Sequence, residues 1–223
     1  MIAGALKRIL VMLDLDQTLI SSELLDKSAA DDGEQVYFIE ENKVKARNFN
    51  FQNMEGLYVI FERPHLQEFL TFLFENFDVG VWTAASQDYA NFIVKHIVIG
   101  DHPERKLKYF LCNYHGKKSS SIYSGSKDLK MLWELYKIPG RDSSNTIILD
   151  DYIEVYNTQK NNCVAVKEFC YFNNKSEEDD LLPKIMELLK ENVLNFNDKD
   201  VDGSGKSSFH VSNTVKLINS KLS

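Results

Sequence analysis

The chain has 223 residues, with 33 acidic against 26 basic side chains and a formal net charge of -7. That balance disfavours direct nucleic-acid binding, which needs a basic face to neutralise phosphates. With 43% hydrophobic residues there is apolar surface enough for one compact domain. No apolar run is long enough to span a membrane, and residues 1–8 are too short and wrongly flanked for a secretory signal. The expectation is a soluble intracellular protein, nuclear or cytoplasmic, with no membrane partner.

Along the chain, residues 9–13 form an unbroken apolar run ending in Asp14. Such runs read as strands buried on both faces, as in a parallel sheet. Residues 20–63 break the pattern. They hold Val36-Tyr37-Phe38-Ile39, Phe49-Asn50-Phe51 and the run 57–61, which alternate as strands and predict a small antiparallel β insertion. Pro64 then opens a helix with Leu66, Phe69, Leu70, Leu73 and Phe77 at helical spacing. A strand at 79–82 follows. Ser86 is placed to cap a second helix carrying Tyr89, Phe92, Ile93 and Ile97. A third helix carries Leu129, Leu132, Trp133 and Tyr136 and stops at Pro139-Gly140. Strands at 146–149 and 164–166 and a helix near Pro183, burying Ile185, Leu188 and Leu189, complete a domain over 1–194. Residues 195–223 read as a polar tail, with a weak helix over 214–222. Alternating strands and helices predict an α/β fold, a parallel sheet with helices on both faces.

Three of these strands end in polar residues: Asp14 with Asp16 and Thr18, then Thr83, then Asp150 with Asp151. Ligands of open parallel sheets bind at the carboxyl ends of the strands, so these residues are expected to converge. Lys127, at the start of the third helix, is a fourth contributor, with Lys130 as its competitor. The set suits phosphoryl transfer. A carboxylate can attack phosphorus, a cation must offset the mutual repulsion, a second carboxyl can shuttle the proton, and a lysine can hold the phosphate.

The stretch Leu13-Asp14-Leu15-Asp16-Gln17-Thr18-Leu19 resembles the first motif of haloacid-dehalogenase-type phosphatases. Within that superfamily the chain is similar to the carboxy-terminal-domain phosphatases, also called NLI-interacting-factor-like phosphatases. Arg63-Pro64-His65-Leu66 resembles their helix start, Trp82-Thr83-Ala84-Ala85-Ser86 their second motif, Lys127-Asp128-Leu129 their third and Ile148-Leu149-Asp150-Asp151 their fourth. The order is kept from about residue 9 to residue 189. The resemblance implies a Rossmann-like sheet with a β insertion and hydrolysis of phosphoserine or phosphothreonine on a protein, as on the tail of RNA polymerase II. It implies Asp14 as nucleophile, Asp16 as acid/base, and Thr18, Thr83 and Lys127 around the phosphate. Asp14, Asp16 (through its carbonyl) and Asp151 would hold Mg²⁺, and Asp150 would orient Lys127. Thr18 would also support the motif loop. Relatives carry an arginine near the position of Phe110, where this chain reads Tyr109-Phe110-Leu111-Cys112-Asn113; Lys117 or Lys118 is the substitute on offer.

Other readings stay open. A chain of this fold could bind phosphopeptides as a scaffold without turnover, or act on a small metabolite or a nucleic-acid end. The insertion aromatics Tyr37, Phe38, Phe49, Phe51 and Tyr58 serve either a small core or a proline-binding groove. Cysteine-phosphatase chemistry wants an arginine six residues after its cysteine, and Cys112, Cys163 and Cys170 have Lys118, Phe169 and Ser176 there. Three irregularly spaced cysteines read as buried thiols, and the five histidines show no metal spacing. Residues 198–203 resemble half an EF-hand loop, but position twelve is Phe209 instead of glutamate. Residues 203–207 resemble half a phosphate loop, with Asp200 where glycine is required.

Overall fold

The computed structural model describes residues 8–25, 40–123, 125–195 and 210–222. In chain order the elements are β1 (Leu10–Leu13), β2 (Ile20–Leu24), α1 (Glu40–Ala46), β3 (Phe51–Met54), β4 (Tyr58–Glu62), α2 (Leu66–Asn76), β5 (Asp78–Trp82), α3 (Gln87–Ile93), β6 (Tyr109–Leu111), α4 (Asn113–Ile122), β7 (Thr146–Asp150), α5 (Ile153–Thr158), β8 (Cys163–Ala165), α6 (Leu181–Leu189) and α7 (Val211–Leu222).

Every residue of β1 is buried, and successive side chains alternate between two cores. Val11 and Leu13 join Val79, Val81, Ile147 and Leu149 under α2, α3, α6 and α7. Leu10 and Met12 join Trp82, Leu129, Leu132 and Ile148 on the other face. β1 therefore sits at the centre of a five-stranded sheet of order β6-β5-β1-β7-β8, and all four of its pairings are parallel. The predicted α/β class and parallel sheet hold. Gly80 in β5 leaves room for Met12: a Cβ there would lie 2.5 Å from its sulfur.

The insertion forms its own antiparallel sheet, β2-β4-β3. It differs from the expectation in two ways. Residues 40–46, read as part of a β region, form α1, with acidic Glu40 and Glu41 in the first turn and Lys43 and Lys45 in the last, an order that suits the helix dipole. The predicted strand at 36–39 lies outside the described residues. Phe49, Val59 and Phe61 pack with Phe169 and Tyr171 from the segment after β8, so two of the insertion's aromatics serve a local core. Phe51 is exposed, and Tyr58 meets Tyr89 edge-on at 5.1 Å.

The third helix is shorter than its spacing predicts: only Met131–Leu135 is helical, as a π turn. α4 and α5 were not anticipated. α4 reads as the polar string Asn-Tyr-His-Gly-Lys-Lys-Ser-Ser-Ser-Ile and has no apolar stripe to announce it. The largest difference is at the carboxyl end. Expected within a polar tail, residues 211–222 form α7, and Val211, Val215 and Ile218 are fully buried in the main core. Their i, i+4, i+7 spacing is a narrow helical stripe, diluted by serines and lysines. Asn219 pins the helix to the edge of the sheet, accepting from the Ala165 amide and donating to the Cys163 carbonyl, each at 2.9 Å. The EF-hand-like and phosphate-loop-like stretches lie outside the described residues.

Candidate active site

The central strands deliver their terminal residues to one place. Asp14 leaves β1 with its amide still donating to Leu149 of β7 at 3.0 Å. The chain then turns sharply: Leu19 and Ile20 both donate to the Leu15 carbonyl, and Gln17 adopts a left-handed conformation at φ 61°. β7 ends in Asp150, with Asp151 next; β5 ends in Trp82, with Thr83 next. Lys127 arrives from the loop before the Met131–Leu135 turn.

Lys127 is the hub. Its Nζ lies 2.6 Å from Asp14 Oδ1 and 2.8 Å from Asp150 Oδ2, and all three side chains are buried. Burial alone would lower the lysine pKa, but Asp14 and Asp150 outweigh it and hold the ammonium charged. Burial pushes the Asp14 carboxyl up to about 8 against the pull of Lys127, and Asp150 pushes it further in the same direction. Asp150 is raised too, by burial first. One buried ammonium thus faces more carboxylate than it can neutralise.

Asp14, Asp150 and Asp151 each offer a carboxylate oxygen within 4.8 Å of the others. Hard oxygen donors with a local shortage of positive charge fit a divalent cation such as magnesium or calcium. Both Asp150 oxygens are already engaged, one with Lys127 and one with the Tyr152 amide at 2.9 Å. Asp14 and Asp151 are left as the better donors.

Thr18 is fully buried. Its hydroxyl donates to Asp151 Oδ1 at 2.8 Å and accepts from the Asp151 amide at 3.1 Å. Both hydrogen bonds of this hydroxyl, expected at the phosphate and in support of the motif loop, go to Asp151. Thr83 is buried and accepts from the Ala85 amide at 3.1 Å, which leaves its own proton to give.

Asp16 stands apart, half-buried on the turn. The Tyr89 hydroxyl lies 2.6 Å from its Oδ1 and 2.7 Å from Ser22 Oγ, and Ser22 reaches the same carboxylate oxygen at 3.3 Å. Burial raises the Asp16 pKa, and these hydrogen bonds only partly offset that. Burial and the neighbouring Asp16 carboxylate push the Tyr89 phenol well above its usual range, so it stays a donor.

Sequence reasoning missed Tyr89, Ser22 and Gln159. Tyr89 was assigned to the apolar stripe of its helix; the signal available was that a buried tyrosine hydroxyl requires a partner. Gln159 donates to the Lys127 carbonyl at 2.7 Å and accepts from the Leu129 amide at 3.0 Å, clamping the Lys127 loop, and no sequence pattern marks it. Lys130 is exposed and makes no ion pair with these aspartates. Lys118 lies over the Tyr136 ring at 5.4 Å. Arg105, the nearest arginine before β6, is buried against α2, bonded to Gln67, Thr71 and the Val98 carbonyl. It does not supply the arginine expected near Phe110.

A family model described as NLI interacting factor-like phosphatase matches residues 9–202. The chain belongs to that family. Among NLI interacting factor-like relatives, the CTD phosphatase-like protein 355R of Invertebrate iridescent virus 6 is 39% identical over 186 residues, covering 82% of this chain and 98% of that protein. Its counterpart in Invertebrate iridescent virus 3 is 40% identical over 189 residues, covering 82% and 96%. The solved fission yeast RNA polymerase II CTD phosphatase Fcp1 aligns over 96% of this chain and 63% of that one, with a TM-score of 0.45 and 19% identity. By family, then, this is a phosphatase of the NLI interacting factor-like type. Among the described residues, no helix is long and apolar enough to cross a membrane.

Proposed function

We propose that the chain is a Mg²⁺-dependent protein phosphatase acting on phosphoserine or phosphothreonine, as on a CTD-like phosphoprotein tail, through a phosphoryl-aspartate at Asp14. The observation that carries this reading is the ion-paired Lys127 between Asp14 and Asp150, with Asp151 alongside. In this reading Asp14 at the end of β1 is the nucleophile, Lys127 the phosphate-binding cation, and Asp14 with Asp151 after β7 the metal-ligating pair.

Asp14 attacks phosphorus with one carboxylate oxygen. As that bond forms, the bond from phosphorus to the serine oxygen breaks, and protonated Asp16 donates its proton to the departing oxygen. In the second step Asp16 takes a proton from water, the water oxygen bonds to phosphorus, and the bond to Asp14 breaks to release phosphate. Lys127 and the Thr83 hydroxyl hold the phosphoryl oxygens, and Asp150 keeps Lys127 aimed. Asp14, Asp151 and the Asp16 carbonyl would hold Mg²⁺, which supplies charge neutralisation for the transferred group. Tyr89 and Ser22 position Asp16.

A protein substrate is favoured by how the insertion packs. Phe49 and Phe61 lie against Phe169 and Tyr171, while Phe51 is exposed and Tyr58 faces Tyr89. Beside Asp16 a groove of about 280 Å³ runs between Ser22 and Glu23 on one side and Glu168, Cys170 and Phe172 on the other. In the proposed reading the peptide that carries the phosphoserine lies along this pocket. To test the covalent step, the enzyme is quenched during turnover, reduced with borohydride and mapped by mass spectrometry. Conversion of the position-14 side chain to an alcohol is expected; conversion at another aspartate, or at none despite turnover, would refute the assignment.

A further inference from the structure

A second cavity, of about 480 Å³, adjoins the groove beside Asp16 and shares Glu168 and Cys170 with it. Its character is opposite to that of the acidic chain around it. Five basic side chains, Arg63, Lys167, Lys175, Lys184 and Lys221, line it against three acidic ones, Glu168, Asp179 and Asp180. They converge from β4's end, the segment after β8, α6 and α7.

Several of these charges are already paired. Arg63 is fully buried and grips Asp179 with two parallel bonds of 2.9 and 2.8 Å. Lys184 meets Asp180 at 2.8 Å. Lys175 lies 3.9 Å from Glu178. Glu168 accepts from the Cys170 thiol at 3.2 Å, a hydrogen bond and not an ion pair. Lys167 and Lys221, both exposed, have no ion-pair partner among the described residues. The cavity therefore keeps positive charge available beyond that of Lys127 in the active site.

Arg63 also fixes where the cavity lies. A third donor of the same guanidinium bonds the Thr18 carbonyl at 2.9 Å, and Thr18 holds Asp151. The cavity floor is thus one arginine side chain from the catalytic loop. An extended peptide rises about 3.3 Å per residue, so a group a few residues from the reacting phosphoserine reaches it.

We propose that this cavity is a second anion subsite that binds another phosphate on the same substrate peptide, with Lys167 and Lys221 as its ligands. The proposal rests on the phosphopeptide reading above. A phosphate carries close to two negative charges at neutral pH and suits paired ammonium groups.

The test uses the full chain carrying Asp14→Asn and labelled peptides bearing one phosphoserine, or a second one two to five residues away on either side. Binding is read by fluorescence anisotropy, so it stands whether or not turnover occurs. The second phosphate is expected to tighten binding about tenfold at one or more spacings. That gain should shrink towards one when Lys167→Ala and Lys221→Ala are added. No gain at any spacing, or a gain that survives the lysine changes, overturns the proposal. An equal gain from paired glutamates would assign the cavity to carboxylates and overturn the phosphate assignment. Wild-type turnover of an aryl phosphate, measured alongside, tests the enzymatic reading separately.

Discussion

Lys127 has two carboxylates within 2.8 Å in a buried setting, and such a charge cannot be removed cleanly. Lys127→Met keeps most of the volume but strands Asp14 and Asp150, so we expect a loss of about 3–5 kcal/mol in stability, read by denaturant unfolding. Phosphate release should fall with it. Thr18→Val separates the two roles expected of that residue. If the hydroxyl serves Asp151, the variant needs about 10- to 100-fold more magnesium for half-maximal activity; a change confined to substrate KM would return Thr18 to the phosphate. Asp16 gives the pH dependence. Its proton is needed for the leaving group, and burial holds its pKa above the ordinary carboxylate value, so kcat on a phosphopeptide should decline as pH rises through that value. Tyr89→Phe removes a donor that favours the carboxylate and should move this decline to higher pH; an unmoved profile would mean that Tyr89 does not act on Asp16. At this scale the sequence was informative where residues share a strand end. Asp14, Thr83, Asp150 and Asp151 were legible because a parallel sheet aligns its carboxyl ends. Gln159 was not, because it acts through backbone groups that no side-chain spacing encodes.

The elements follow the same division. Strands β1, β5 and β7 announced themselves as apolar runs, since both of their faces are covered. α4 and α1 did not, because short polar helices are held by their ends and neighbours more than by an apolar stripe. α7 was half-legible. Its buried Val211, Val215 and Ile218 are on helical spacing, but the polar residues between them read as a tail. Its role can be tested through Asn219, which pairs two backbone groups at the β8 edge. Asn219→Leu should cost roughly 2 kcal/mol by leaving those groups without partners, measured by thermal or urea unfolding. A loss within 0.5 kcal/mol, the usual range for surface changes, would show that water replaces the side chain there.

For the whole molecule, the net charge of -7 and the buried carboxylate cluster pull the same way. Local negative charge exceeds what Lys127 can offset, and under the proposed mechanism a bound cation would make up the difference before phosphate arrives. The sequence carried this inference only through the order of four motifs; the distances that make it physical come from the fold. We propose metal-assisted attack by Asp14 as the step on which turnover depends. Its most direct test is phosphate release from an aryl phosphate, with magnesium and with chelator, for wild type and Asp14→Asn. We expect release that requires magnesium and is absent in the folded variant. Release that persists in chelator, or in Asp14→Asn, would contradict the account.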